Sequence, residues 1–423
     1  MSEFTQFWTQ LQLKVVFNFK LEVASAVMND CFRTRFLGAC VLGLCLSACG
    51  SDDDPADSNA PSQVGDAMSG YAEIVSASYE DSVTAALELQ DAVESFLADP
   101  SEAGLEAARE AWLAAREPYL QTEVYRFYSG PIDDDDGPEG TLNAWPMDEA
   151  YVDYVEGDAA AGIINDTSIA LDADELLSLN QSDGEETIST GFHAIEFLLW
   201  GQDQSADGPG NRPYTDFVEG ADGTAANQDR RKEYLGLVTT LLVEQLQGLV
   251  GEWKADDAGN YRAEFESADS DDQLLRVLTG MTILSGFETG GERLQTALDS
   301  GEQEDEHSCF SDNTHRDMVQ DVQGVLNVWT GSYTRRGGDE LSFPGVRDVV
   351  AEKDAALAAE LDEQIAESLR LANELEPPFD QEIASDNEEG QARVTALVTS
   401  LREQAHLLED VARAFGFDAP MAP

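Results

Sequence analysis

Apolar residues recur at steps of three and four along most of this chain, and that period constrains its fold more than any other feature. Tyr71, Ile74, Val75, Tyr79, Val83, Ala86, Leu87, Val93, Phe96 and Leu97 fall on one side of a long helix that starts near Met68. Asp99-Pro100-Ser101-Glu102 then combines an N-cap, a proline at the first helical position and a glutamate set for a capping box. A second helix is expected from there through Trp112 towards Tyr128. Similar faces recur at Tyr234–Trp253, Leu274–Leu298, Val349–Leu375 and Val394–Phe415. Alternating runs bounded by turns are scarce, so the predicted class is all-α. About 370 residues are more than one helical bundle holds, which predicts two bundle-like lobes, 67–215 and 216–423. The Gly-, Asp- and Pro-rich stretch Gly201–Asp229 carries the join. Gly286-Phe287-Glu288 echoes Gly191-Phe192-His193, as an old duplication would leave it.

The N-terminal region reads as a targeting leader. Arg33 and Arg35 precede thirteen apolar or small residues, Phe36–Ala48, too few for the roughly 20 that span a bilayer. The run ends Leu46-Ser47-Ala48-Cys49-Gly50, a bacterial lipobox in which cleavage precedes Cys49 and lipid is attached to its thiol. Met28 is the expected start, with 28–48 the signal peptide and 1–27 an upstream extension; a genuine extra helix is the alternative. Cleavage removes Cys31, Cys40 and Cys45, lipid consumes Cys49, and Cys309 is left alone, so no internal disulfide forms. Residues 49–66, rich in Asp, Ser and Pro, read as a flexible tether. The expected location is the cell envelope, on an outer-membrane lipoprotein facing the periplasm or the surface.

The net charge of −60, from 84 acidic and 24 basic residues, excludes a nucleic acid or a bare anionic bilayer as partner, because both would repel it. Acidity of this kind serves solubility; its functional alternative is that some carboxylates attract cations.

Of four histidines, His193 lies in an apolar helix beside a carboxylate. Thr187–Trp200 is expected as one helix, opened by Ser182 with Glu185 three residues on and closed by Gly201. His193 and Glu196 then share a face and can reach one cation. The alternative is that they pair with each other or cap a neighbour. His406 and Glu409 repeat the spacing in an ordinary amphipathic helix. A second cluster, His307, Cys309, Asp312, Asn313, His315 and Asp317, could bind a soft metal or ferrous iron, or could be a turn leading into a helix capped by Asn313 or Thr314.

Gly191–Asp203 (GFHAIEFLLWGQD) resembles the GxHxxE signature of the imelysin family, in its iron-regulated branch. Trp112–Glu123, Leu142–Val155 and Glu306–Asp317 resemble it too. The resemblance implies a two-lobed helical fold in which the GxHxxE helix lines a cleft. It also implies a periplasmic or surface lipoprotein that binds a transition metal, iron before zinc, or a chelate of it, with an uptake-system protein as partner. Glu123 matches a carboxylate of related metal-uptake members and is the expected third ligand beside His193 and Glu196. Gly191, Arg116, Tyr119, Asp148 and Asp203 are expected around the cleft, with Arg116 holding a carboxylate or an anionic ligand, or a salt bridge within the bundle. The family is also catalogued as a peptidase. Here no HExxH is present, and Phe197 stands where an inverted motif needs its second histidine, so binding is expected rather than catalysis. A metallopeptidase using His193 and Glu196, and a metal-free cleft for a peptide or glycan, are the alternatives.

Overall fold

Helix carries nearly all of the regular structure in the computed structural model, which describes residues 63–205 and 208–418. The leader, Cys49 and the first part of the tether lie outside the described residues. Gln63–Asp66, expected to close the tether, already form the first turn of helix α1 (Gln63–Ala98), where Asp66 complements the positive end of the helix dipole.

Helix α2 (Glu102–Leu120) lies along α1. Its cap is Ser101, in extended conformation, whose hydroxyl accepts from Gly104 N at 3.3 Å. Pro100 therefore precedes the cap instead of opening the helix, because Asp99 still bonds back to Ser95 at the end of α1. The helix stops at Leu120 rather than near Tyr128. A 3-10 turn, Glu123–Tyr125, replaces it, and the chain turns away through positive φ at Phe127 and Ser129.

Helix α3 (Gly191–Trp200) packs between α2 and α4 (Gln228–Trp253). Helix α5 (Ser270–Ile283) continues into a π-helical segment, Leu284–Gln295, against the last long helix. There a Cβ on Gly286 would come within 2.7 Å of the Ala405 Cβ, so glycine sets that close approach. Helix α6 (Thr314–Thr330) leads into a two-stranded antiparallel hairpin, β1 (Ser332–Thr334) with β2 (Glu340–Ser342), which pairs Tyr333 with Leu341.

The single face expected over Val349–Leu375 is split into α7 (Val346–Lys353) and α8 (Ala355–Ala372). Asp354 divides them, because its carboxylate caps the backbone N–H groups of Ala356 and Leu357, each at 3.1 Å. Helix α9 (Glu388–Phe415) follows.

The described residues belong to one compact unit, 60–423. Its larger apolar cluster draws on residues from Ala67 to Ala412, on both sides of residue 215. A smaller one gathers Leu294, Met318, Phe379, Ile383 and Leu397 where α6, α9 and the π-helical segment meet. Among the described residues no helix is long and apolar enough to cross a membrane.

Candidate metal centre

All ten residues of α3 are buried. The helix begins at Gly191, not Thr187, because the preceding segment bonds elsewhere. Gln181 N donates to Thr187 O at 2.7 Å, and Asn180 Oδ1 accepts from Ser189 N at 2.9 Å. Ser182 and Glu185 therefore cap nothing here, and Thr190 precedes the first turn. Gly191 takes φ +87°, and the Leu142 carbonyl oxygen lies 2.5 Å from where a Cβ would stand. Gly201 closes the helix at φ +75°.

His193 and Glu196 pair with each other: Nδ1 is 2.8 Å from Oε2. The other carboxylate oxygen, Oε1, accepts from Ser311 N at 3.0 Å and Ser311 Oγ at 2.6 Å. Both oxygens of Glu196 are thus engaged inside the protein. His193 Nε2 is buried and has no partner. The control pair is different in kind, since His406 Nδ1 is 3.9 Å from Glu409 and the imidazole is 69% exposed.

The second sequence cluster supplies the opposite wall. His307 faces His193 with ring centroids 5.0 Å apart and planes at 70°. Its Nδ1 lies 2.7 Å from Asp317 Oδ2, which also accepts from Ser308 Oγ at 2.6 Å and Arg116 Nη2 at 2.8 Å. Arg116 Nη1 donates to Asn143 Oδ1 at 2.5 Å. Arg116 thus makes the salt bridge within the bundle, fully buried, as does Asp317. Trp145 stacks obliquely on His193, centroids 5.2 Å apart.

Burial, then the Arg116 charge, drives His193 well below the ordinary histidine range. Burial and Arg293 bring His307 down to about 4. Both rings are therefore neutral at pH 7, the state in which imidazole is a ligand. Burial pushes Glu196 up to about 8, against the Ser311 bonds and Arg116. For Asp317 burial acts upwards too, but Arg116 and His307 outweigh it and hold the group well below the carboxylate range.

The remaining expected residues go elsewhere. Glu123 joins Arg126 and Arg293 through Oε2, the first at 2.6 Å. Against burial, those two guanidiniums lower it to about 2, so in this structure Glu123 is engaged as an ion-pair partner of Arg126 and Arg293. Tyr119 packs on Phe192, centroids 4.7 Å apart. Asp148 caps the short helix Glu149–Val152. Asp203 accepts from the Gln303 side chain. Cys309 is buried with its thiol pushed up by burial, and His315 Nδ1 sits 3.1 Å from Asp312 O. Among the described residues no three His, Cys, Asp or Glu side chains are arranged to hold a metal ion.

Sequence reasoning kept His193 and His307 apart and missed Ser311, Ser308 and Asn143. Only the match of Glu306–Asp317 to the same family signalled that the two segments belong together.

The imelysin family profile matches residues 75–408, most of the chain. The chain belongs to the imelysin family. Iron-regulated protein A of Synechococcus elongatus is 26% identical over 345 residues, covering 80% of this chain and 82% of that protein. Two solved imelysin-like structures share the fold. One, from Parabacteroides distasonis and described as an iron-regulated protein A precursor, superposes with TM-score 0.63 at 21% identity, covering 85% of this chain and 98% of that one. The other, an imelysin-like protein of Psychrobacter arcticum, gives 0.61 at 13%, covering 85% and 97%. The bundle-like helical architecture is therefore an imelysin architecture.

Proposed function

We propose that this imelysin-family protein binds a transition metal, iron in the first place, or a small complex of it, between His193 and His307. The observation that carries this reading is the buried pair of neutral imidazoles, each with Nδ1 on a carboxylate and with His193 Nε2 unpartnered. Histidine ligands in metal sites are oriented in this way, the other ring nitrogen giving its proton to a carboxylate; at His193 this requires Glu196, whose burial raises it to about 8, to give up its proton as the metal takes Nε2. Two rings that hold one ion through nitrogens at about 2.0–2.1 Å stand about 5 Å apart, centre to centre, near a tetrahedral angle. The observed separation is 5.0 Å.

Two nitrogen donors suit iron, zinc or copper rather than calcium. With no third protein ligand among the described residues, the open positions fall to water or to a chelator brought with the metal. Glu196 orients His193 and is not itself a ligand in this reading. Its two occupied oxygens also leave it poorly placed to activate a water, which favours binding over proteolysis. His193 is 1% exposed, so entry requires Trp145 or the buried loop 306–313 to move. The name of the Synechococcus relative supports iron, and the lipobox at Cys49 supports a lipid-anchored envelope protein; service in metal acquisition with an uptake partner is part of the proposal.

Metal analysis of freshly purified full chain, followed by calorimetric titration with ferrous iron, ferric citrate and zinc, tests this. One saturable site per chain that disappears in His193→Ala, with helicity unchanged, is the expected result. Equal binding by wild type and variant would overturn the reading.

A further inference from the structure

Segment 141–145 runs along the first turn of α3. Thr190 Oγ1 donates to Thr141 O at 3.1 Å, the Leu142 carbonyl fills the Cβ position of Gly191, and the Trp145 ring lies 5.2 Å from the His193 ring. Asn143 stands between the last two contacts, 3% exposed. Its Oδ1 accepts from Arg116 Nη1 at 2.5 Å, and Nη2 of the same guanidinium lies 3.4 Å from His307 Nδ1. Asn143 is thereby tied to the walls that carry both histidines. The other end of its amide, Nδ2, is buried and has no partner. Because a guanidinium only donates, its bond to Oδ1 fixes which way the amide points, and the atom left over is a donor. A buried donor without an acceptor is unfavourable, and this one calls for an oxygen brought by a ligand.

Charge points the same way. Arg116 and Asp317 cancel each other, and the neighbouring Arg293 is answered by its own carboxylates, Glu123, Asp321 and Glu288. Imidazoles that act as ligands are neutral. Glu196 supplies at most one negative charge, in contact with His193. A divalent ion between the rings therefore keeps at least one uncompensated positive charge, and a ferric ion at least two. Buried charge of that kind needs a partner of opposite sign.

We infer that the histidine site takes its metal together with one small oxyanion, a carboxylate or a carbonate, and that Asn143 Nδ2 donates a hydrogen bond to it. This rests on the reading of His193 and His307 as metal ligands. The anion supplies the missing negative charge and an oxygen for a position that the two rings leave open. Water would satisfy the amide but would not cancel the charge. Hydrogen bonds to an ionised acceptor are the stronger kind, so Asn143 makes the site prefer a metal carried with an anion over a hydrated ion.

The test titrates zinc calorimetrically into chelator-stripped full chain, in buffer free of carboxylates and carbon dioxide and with about 0.15 M sodium nitrate to suppress diffuse binding to the acidic surface. Acetate and bicarbonate are then added in separate arms, which tells a carboxylate from a carbonate. Wild type and His406→Ala are expected to bind zinc at least about tenfold more tightly with one of these anions present, the worth of one hydrogen bond to a charged group. Asn143→Leu is expected to lose that gain. Asn143→Asp keeps an oxygen for Arg116 and puts a negative charge of its own in place of the donor. It is expected to bind zinc more tightly than wild type in the anion-free buffer and to gain nothing from either anion. Zinc binding that disappears in His193→Ala but ignores both anions would overturn this inference and leave the histidine reading standing. No saturable zinc binding in any arm would overturn both. An equal anion effect in wild type and Asn143→Asp would overturn the role of Asn143.

Discussion

His193 and His307 face each other edge to face across 5.0 Å, each with its Nδ1 on a carboxylate: Glu196 for the first ring, Asp317 for the second. The two acids behave differently in the same buried space. Asp317 shares Arg116 and is held ionised, while Glu196 has only Ser311 and His193 and is pushed up to about 8. One wall is therefore a fixed ion pair and the other exchanges a proton near neutral pH.

This arrangement makes His307 the equal of His193. In calorimetric titration with zinc or ferrous iron, His307→Ala is expected to lose binding as fully as His193→Ala does. Glu196→Gln is expected to weaken it by about 10–100-fold, the usual effect of removing an orienting carboxylate. His315→Ala and His406→Ala should match wild type. A His307→Ala protein that binds normally would show that the second ring is structural.

The fold class and most long helices were legible because a 3.6-residue apolar period survives in α1, α4 and α9 whatever lies around them. The breaks were less so: Asp354 ends one helix and caps the next, a decision made by its own carboxylate against a period that continues across it. Of the site, the GxHxxE pair was readable and its role was not. Sequence spacing puts imidazole and carboxylate on one face, but only the fold shows that Ser311 occupies Oε1 and that Nε2 is left over. The arginine pairing of Glu123 was hidden for the same reason, since one of the two arginines that hold it, Arg293, comes from a distant π-helical turn.

Acid stability should report on Glu123. Its pKa falls from about 4.3 in an unfolded chain to about 2 in the fold. A lowered pKa contributes stability that is present above the unfolded value and lost as pH falls through the folded one. The loss therefore runs from about pH 5 to about pH 2. Glu123→Gln is expected to cost about 3 kcal/mol at pH 7 and progressively less in acid. Urea unfolding at several pH values checks this, and a variant with a constant deficit would refute it.

Gly191→Ala should destabilise the protein by at least about 2 kcal/mol, since alanine is strained at positive φ and its Cβ would strike the Leu142 carbonyl. The thermal midpoint is the readout. Gly248→Ala, in α4 with open space at its Cβ position, is the control and should be neutral or stabilising.

Cys49→Ala should leave the protein out of the membrane pellet and without lipid, if the lipobox directs its anchoring. Fractionation that finds the unmodified variant still firmly bound to the outer membrane would remove the lipoprotein reading.

The last prediction separates scaffold from ligand at the buried pair Arg116–Asp317, whose side chains are both 0% exposed and meet at 2.8 Å. Breaking such a pair strands a charge, so Arg116→Ala and Asp317→Ala should each cost about 3–5 kcal/mol. Replacing both partners by apolar residues, Arg116→Met with Asp317→Leu, should cost much less than the two single changes summed, because no uncompensated charge remains. Metal binding should follow another rule. Asp317 holds His307 Nδ1 directly, so the double variant frees that ring and is expected to bind metal at least about tenfold more weakly even where it folds well. A double variant that recovers stability and wild-type affinity together would assign Asp317 to packing alone. Recovered stability with weakened binding is what a positioning role for Asp317 requires.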